Sequence, residues 1–352
     1  MKKVICLGGG NNQVSVIKSA SRLGLEVITV DRNNIAKGKK ISNYFINKST
    51  GDPIKIFEEL KSKKISDNII GVLNRSSSYP VITNSVLSNL LNLESYPKDT
   101  AEKAISKGQL NKTLGEKNIL VPKSIVFNEE LDIKEFIYPF IFKLDITPGG
   151  KLGVKLINSK EGVLSYLESF KKRGQIIKEE YIEGRDISFG AVINNGELFP
   201  LVILEEWHKI NSQGDISVKG ISVLDNESST HLLKQLIKVS NLVKDILKIK
   251  NSFFWISFKY TPKKDLYFIE LHLDMGGDFV LDHLLPKATN LNYPIDNFLE
   301  IYLFGKKNYK GMFKVIPTSI EYDKGSSISE DGRLLSIINH RSYESVKKHF
   351  EN

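Results

Sequence analysis

Glu270, His272 and Asp274 alternate with Leu271 and Leu273 in one short run. A period of two puts the three polar side chains on one face of a strand, an arrangement able to hold a divalent cation. Oxygen donors suit Mg²⁺ in octahedral geometry, whereas an imidazole in the set is better matched to Mn²⁺, Zn²⁺ or Fe²⁺. A second pattern, Gly8-Gly9-Gly10-Asn11-Asn12-Gln13, stands between an apolar run and a helical repeat. Glycines there let the backbone approach a phosphate, and the helix start supplies unpaired N–H groups. Asp31 falls where a dinucleotide fold carries its ribose-binding carboxylate. Gln13 occupies the place of the third glycine, and a tight turn in any α/β domain explains the cluster equally well.

Four further features follow one another in a fixed order. Lys107 opens a helix ahead of Asn118-Ile119-Leu120-Val121-Pro122. Phe142-Lys143-Leu144-Asp145 leads into the Gly-rich stretch Thr147–Val154, with Gly149, Gly150, Lys151 and Gly153. A run from Ile176 through Glu179, Glu180 and Tyr181 reaches Asp186. The strand carrying Glu270 closes the block, followed by Gly276-Gly277-Asp278.

The elements that must position these residues are legible from periodicity. Val4–Leu7, Glu26–Val30 and Ile69–Leu73 read as buried strands, separated by a helix bearing Val14, Ile17, Ala20 and Leu23 and by one led by Pro53. Such a βαβαβ order implies a parallel sheet with right-handed crossovers. Short helices are expected at Thr100–Ala104 and Lys107–Glu116, then strands Ile125–Phe127 and Phe140–Leu144 around a helix near Asp132. An amphipathic helix at Glu161–Arg173 precedes strands Ile176–Tyr181, Ile187–Ile193 and Leu198–Leu204. A long helix spans Ser229–Leu247, and Phe253–Tyr260 and Leu266–Leu273 form a hairpin. Helices are expected near Phe279–Leu285 and Ile295–Tyr302, with a β-rich tail after them.

In that order and spacing the chain resembles the ATP-grasp superfamily over roughly residues 3–300, in particular its carboxylate–amine ligase and carbamoyl-phosphate-synthase-like branch. The resemblance implies an α/β plus α+β fold: an N-terminal parallel α/β domain (1–98), an ATP-grasp region (99–304, lid about 119–180) and a small β-rich C-terminal segment (305–352) packed on it. It implies ATP and Mg²⁺ or Mn²⁺ as cofactors. The implied activity is that of a ligase in which a carboxylate takes the γ-phosphate to give an acyl phosphate, captured by an amine or, less commonly, a thiol. Lys107 and Lys143 then match the two lysines at the nucleotide, and Gly149, Gly150, Lys151 and Gly153 match the loop over the phosphates. Glu179, Glu180, Tyr181 and Ile182 match the hinge that reads adenine, Asp186 the acid on the ribose, and Glu270, His272 and Asp274 the metal strand.

The chain departs from the family pattern at three points. Ser257 stands where the first of two adjacent strands carries a glutamate, and His272 replaces the asparagine of Glu-x-Asn-Pro-Arg. Leu273-Asp274 replaces the Pro-Arg pair, so the arginine that holds the acyl phosphate or substrate carboxylate is lost. Asp274, Lys219 and His208 are the candidates for catalysis. Glu205-Glu206-Trp207-His208-Lys209 reads as an exposed loop, in which Trp207 is able to stack on a planar group and Lys219 to reach the γ-phosphate. Two other functions stay open: a non-catalytic or weakly catalytic ATP-binding protein, and an NAD-dependent dehydrogenase built on the first glycine cluster.

Composition limits the alternatives. Of 352 residues 50 are Lys or Arg and 41 Asp or Glu, a formal charge of +9, yet only seven are arginine. Nucleic-acid readers rely on the bidentate guanidinium, so scattered lysine argues against nucleic acid as partner. Hydrophobic content of 41% and charged content of 26% are those of a globular protein. No stretch approaches the length of a membrane span, and a lone cysteine, Cys6, fits a reducing compartment. These features point to the cytoplasm, with small-molecule carboxylate and amine partners, and the resemblance is compatible with a homodimer.

Overall fold

Strands β1 (Lys3–Leu7) and β2 (Glu26–Val30) are buried on both faces over four of their five residues, as parallel strands covered by helices must be. With β3 (Tyr44–Ile46) and β4 (Ile69–Asn74) they form a parallel sheet in the order β3-β2-β1-β4. Helices α1 (Asn11–Arg22), α2 (Pro53–Ser62) and α3 (Tyr79–Leu90) complete this part. The computed structural model of the chain describes residues 1–127, 136–147, 152–225, 230–277, 279–328 and 334–351.

Helices α4 (Lys98–Ile105) and α5 (Lys107–Gly115) lead into the second sheet. It is antiparallel, with β5 (Ser124–Val126), β6 (Phe140–Leu144), β7 (Lys155–Ile157) and, after α6 (Lys160–Phe170), β8 (Ile176–Glu180), in the order β5-β8-β6-β7. One face packs on α6 through Phe140, Phe142, Ile157, Val163 and Tyr166. Aromatic rings dominate this small core, Phe142 lying 4.9 Å from Phe140 and 5.0 Å from Tyr166 between centroids.

The third sheet has seven strands: β9 (Arg185–Asn194), β10 (Glu197–Ile210), β11 (Ile216–Val223), β12 (Ser252–Tyr260), β13 (Leu266–His272), β14 (Thr318–Ile328) and β15 (Leu334–Asn339). Their order is β13-β12-β9-β10-β11-β14-β15. On one face α7 (Thr230–Ile246) packs through Leu232 and Leu236 on Phe254, Ile256 and Phe268. The other face meets the N-terminal sheet's α1 and a helical run comprising the π-turn Val280–Leu284, α8 (Leu285–Thr289) and α9 (Pro294–Phe304). Trp255 stacks on Phe298 there, 5.9 Å between centroids, and lies flat over Gly190, where an added Cβ would sit 2.6 Å from the ring. Helix α10 (Tyr343–Glu351) ends the described chain.

The expected elements that fall within the described residues are present with small boundary shifts, and the structure adds β3, α3, β7 and β11. Residues 205–219 are not one exposed loop: they form the ends of β10 and β11, paired from Leu204↔Val223 to Ile210↔Ile216, and the short turn between them. The tail is more than a small β-rich appendage, because β14 pairs with β11 in the large sheet and a helix follows. The helix expected near Asp132 falls outside the described residues.

The β10–β11 turn touches the second sheet. Asn211 Oδ1 accepts from the Gln213 and Asp215 amides and preforms the turn. Gly214, at φ +86°, accepts the Leu156 N–H at 2.8 Å, and a Cβ there would lie 2.1 Å from the Leu156 oxygen. Gly214→Ala is therefore expected to break this clasp and speed exchange of the Leu156 amide about tenfold, read by hydrogen-exchange mass spectrometry. Cys6 lies in the first core, and burial pushes its thiol up to about 12. The native chain should stay inert to a disulfide reagent at pH 8, while one thiol per chain reacts in denaturant.

Candidate functional site

A cleft of about 520 Å³ opens where the three sheets meet. The N-terminal part contributes Ser77 and Ser78, and the second sheet Thr147 and Leu152 at the edges of the Gly-rich stretch. The floor is Ser257 and Glu270–Asp274, with Glu206 and Val218 beside it. Cross-strand register explains why the floor is polar. Asp186 opposes Glu206 and Lys259, Ser188 opposes Ser257, and Ser257 opposes Glu270, so these side chains share one face.

Lys107 is the one lysine or arginine among the described residues that line the cleft. Its position is fixed by Asp145, whose carboxylate accepts from the Gly108 N–H and the Ser106 hydroxyl, both at 2.8 Å. An acid at the helix start also complements the dipole of α5. Lys107 Nζ reaches Glu270 Oε1 at 3.2 Å and donates to Thr147 Oγ1 at 3.2 Å. The other Glu270 oxygen lies 3.6 Å from His272 Nε2. Desolvation opposes charge on His272, but the Glu270 and Asp274 carboxylates outweigh it and carry the imidazole up to about 9. Asp274 is buried, which raises its pKa against the pull of His272, of the Gly276 N–H (2.7 Å to Oδ1) and of Arg75.

This donor set does not fit a divalent cation as it stands. Glu270 lies against Lys107 and His272, and Asp274 Oδ1 caps the Gly276 amide, so a cation would have to displace these contacts. Ser257 bonds Ser188 at 3.0 Å, and Ser188 donates to Glu206 at 2.7 Å. No three acidic, histidine or cysteine side chains converge as a metal set among the described residues.

The remaining candidates separate into distinct groups. Lys143 and Glu179 are both buried and pair at 2.5 Å, joined by Asn111 Nδ2 at 3.0 Å from the same carboxylate oxygen. Asn111 Oδ1 is buried without a partner, a costly state for an acceptor. Glu180 is exposed and accepts from the Lys123 N–H, and Tyr181 and Ile182 follow at the end of β8. Asp186 pairs with Lys259 at 2.6 Å and His208 Nδ1 at 2.9 Å. His208 Nε2 lies 3.4 Å from Glu206, which lines the cleft.

Gly149, Gly150 and Lys151 fall outside the described residues. Gly153 belongs to the second sheet's core: it packs on Leu144, and its carbonyl accepts the Tyr166 hydroxyl at 2.6 Å. Lys219 and Trp207 do not line the cleft, contrary to their expected roles. Lys219 donates to the Phe350 carbonyl at 3.0 Å, and Trp207 stacks on the Phe350 ring, 5.0 Å apart and 8° from parallel. Strand alternation gives His208 to the cleft side and Trp207 to α10, and the register shift beside them leaves Lys219 as the extra residue of β11, between Val218 and Gly220. Arg185 and Glu205 secure the same helix through Tyr343.

The first glycine cluster is filled by its own chain. The Gln13 side chain folds against Gly8, and Asp31 Oδ2 accepts the Gly9 N–H at 2.8 Å. Both groups that a dinucleotide would need are thereby engaged. Gln13 instead holds the turn after β4, donating to the Arg75 carbonyl and Ser76 hydroxyl at 3.1 Å.

Arg75 escaped the sequence reading. Its buried guanidinium binds the Gly276 carbonyl at 2.9 Å, the Asn12 carbonyl at 3.0 Å, Ser15 at 2.8 Å and Asp282 at 2.5 Å. It thus joins the N-terminal part to the turn that carries Asp274. The available signal was its place just past a parallel strand's C-terminal end, where such sheets gather functional groups. Arg75→Leu is expected to cost about 3 kcal/mol, because it leaves Asp282 and two carbonyls without their partner, measured by urea denaturation.

Comparison with known proteins places this geometry. No protein-family model matches the chain. It is 23% identical to the D-alanine–D-alanine ligase of Aquifex aeolicus over 298 residues, 82% of this chain and 94% of that one. It is 30% identical to the formate-dependent phosphoribosylglycinamide formyltransferase of Prochlorococcus marinus over 189 residues, 50% of this chain and 46% of that one. Among solved structures, an L-amino acid ligase from Bacillus licheniformis superposes with a TM-score of 0.73 at 16% identity, covering 100% of this chain and 96% of that one. The N5-carboxyaminoimidazole synthetase of Staphylococcus aureus complexed with ADP gives 0.75 at 14% identity over 99% and 96%. The parallel sheet, the small antiparallel sheet and the large one are thus the three parts of an ATP-grasp fold.

Proposed function

We propose that the chain is an ATP-dependent ligase that activates a carboxylate as an acyl phosphate and transfers the acyl group to an amine or similar nucleophile. The carboxylate oxygen attacks the γ-phosphorus, the bond to the β-phosphate oxygen breaks, and ADP leaves. The amine nitrogen then attacks the acyl carbon, phosphate departs, and the amine gives up a proton. The observation that carries this reading is Lys107, held by Asp145 at the head of α5, in a cleft between the small and large antiparallel sheets. A compact ammonium there is suited to a phosphate. In this reading Lys143 and Glu179–Ile182 meet the base, Asp186 the ribose, and the 149–151 stretch with Thr147 covers the phosphates. Cleft closure excludes the water that would hydrolyse the intermediate. Such catalysis works by positioning and charge neutralisation. The partners are a small carboxylate and an amine, the chain is a homodimer, and its compartment is the cytoplasm. No helix among the described residues is long and apolar enough to cross a membrane.

The second reading, an ATP-binding protein with little turnover, is favoured by Ser257 in its bond to Ser188 and by the engagement of Glu270 with Lys107 and His272. One experiment separates the two. Thermal stability is measured with ATP, ADP and NADH in Mg²⁺ or Mn²⁺, followed by ADP release with pooled carboxylates and amines. The ligase reading expects a shift with ATP and ADP release above background that needs both pools. A shift with ADP release at background selects the second reading, and no shift with millimolar ATP removes both.

A further inference from the structure

We propose that Asp274 anchors the amine substrate, its Oδ2 accepting hydrogen bonds from a primary ammonium group at the end of the cleft nearest the N-terminal sheet. The ligand's role as a substrate rests on the ligase reading above. Asp274 borders the cleft with 4% of its surface exposed. Its Oδ1 accepts the Gly276 N–H at 2.7 Å, and among the described residues no hydrogen bond reaches Oδ2. That oxygen is not sealed in the protein and opens on the cleft. A buried carboxylate with an oxygen to spare is costly until a cation meets it.

The main chain sets this oxygen beside the turn that follows β4. The Met275 N–H bonds the Asn74 carbonyl at 3.0 Å, and Arg75 holds the Gly276 carbonyl at 2.9 Å. Ser77 and Ser78 of that turn border the cleft. An ammonium brings three N–H donors and no acceptor, so hydroxyl oxygens next to a carboxylate suit it. Charge agrees. Glu206, Glu270 and Asp274 border the cleft against Lys107 and His272, three acids against two bases, and one more cation balances them. Lys107 and His272 both face Glu270. A carboxylate placed at this end would meet an acid, because Arg75 is committed to Asp282 and to main-chain carbonyls.

The test uses the full chain and three probes of one shape: propylamine, 1-propanol and propionate. They are titrated near neutral pH, where the amine is protonated, and read by saturation-transfer NMR with and without ADP and Mg²⁺. The wild type is expected to bind the ammonium about tenfold more tightly than either other probe. Asp274→Asn keeps an acceptor for the Gly276 N–H and is expected to lose about that tenfold, with propanol binding unchanged. Equal binding of amine and alcohol by the wild type overturns the proposal, as does an amine affinity that Asp274→Asn leaves intact. Displacement of the amine by equimolar Mn²⁺ also overturns it, by assigning the oxygen to a metal. The wild-type comparison decides the matter should Asp274→Asn fail to fold. A wild type that holds the amine through Asp274 but does not bind ADP removes the ligase reading, and with it the ligand's role as a substrate, while the ammonium site stands.

Discussion

The Glu270 carboxylate is the hinge of the charge balance in the cleft. One oxygen lies beside Lys107 and the other beside His272, so a single anion holds the helix that carries the lysine and the strand that carries the imidazole. A carboxylate in partly desolvated surroundings needs compensation, and two cations over-compensate it. An incoming polyanion therefore meets a site whose cations are present but already engaged. A phosphate that engaged Lys107 would compete with Glu270 for it. The geometry of that exchange depends on supports further back: Asp145 under the head of α5, and Arg75 gripping the Gly276 peptide whose N–H binds Asp274.

Loss of the strand-borne acid at Ser257 has a local answer. Ser257, Ser188 and Glu206 form a hydroxyl–hydroxyl–carboxylate chain across three neighbouring strands. The carboxylate is thus displaced from β12 to β10, two strands away, and remains on the cleft face. The same face keeps Asp186 between Lys259 and His208. The polar floor is a connected network and not a set of independent ligands, and the properties of such a network are shared among its members.

The sequence exposes those parts of the fold whose information is local. Apolar runs such as Val4–Leu7 and Phe140–Leu144 announce buried strands, and the Phe253–Tyr260 and Leu266–Leu273 pair announces its hairpin. Glu205–Lys209 misleads for a physical reason. Its polar side chains are met from β9, where Arg185 pairs with Glu205, Ser188 donates to Glu206 and Asp186 bonds His208, so a paired strand end has the composition of a loop. The direction of Lys219 turns on a one-residue register shift that no pattern in β11 announces. Arg75 and Asn111 owe their meaning to partners far away in the chain, Asp282 and Glu179. Order and spacing along the chain revealed the fold; pairing across it decides what each residue does.

The three described lysines aligned with phosphate contacts illustrate the difference. Lys107 faces Glu270, Lys143 faces Glu179, and Lys219 faces the last turn of α10. A cation near the C-terminal end of a helix is stabilised by the carbonyls it meets, so Lys219 serves the fold where it stands. Lys143 is buried with its partner, and separating that pair would strand a charge. Lys107 alone of the three borders the cleft and shares its counter-ion with a second cation. It is the one whose pairing a phosphate can replace without leaving a carboxylate uncompensated, because His272 remains beside Glu270. The surplus of nine positive charges thus contributes little to the cleft, where one lysine and one imidazole are matched against Glu206, Glu270 and Asp274. What draws a polyanion into such a place is a cation with an exchangeable partner, and the net charge of the chain is a poor guide to it.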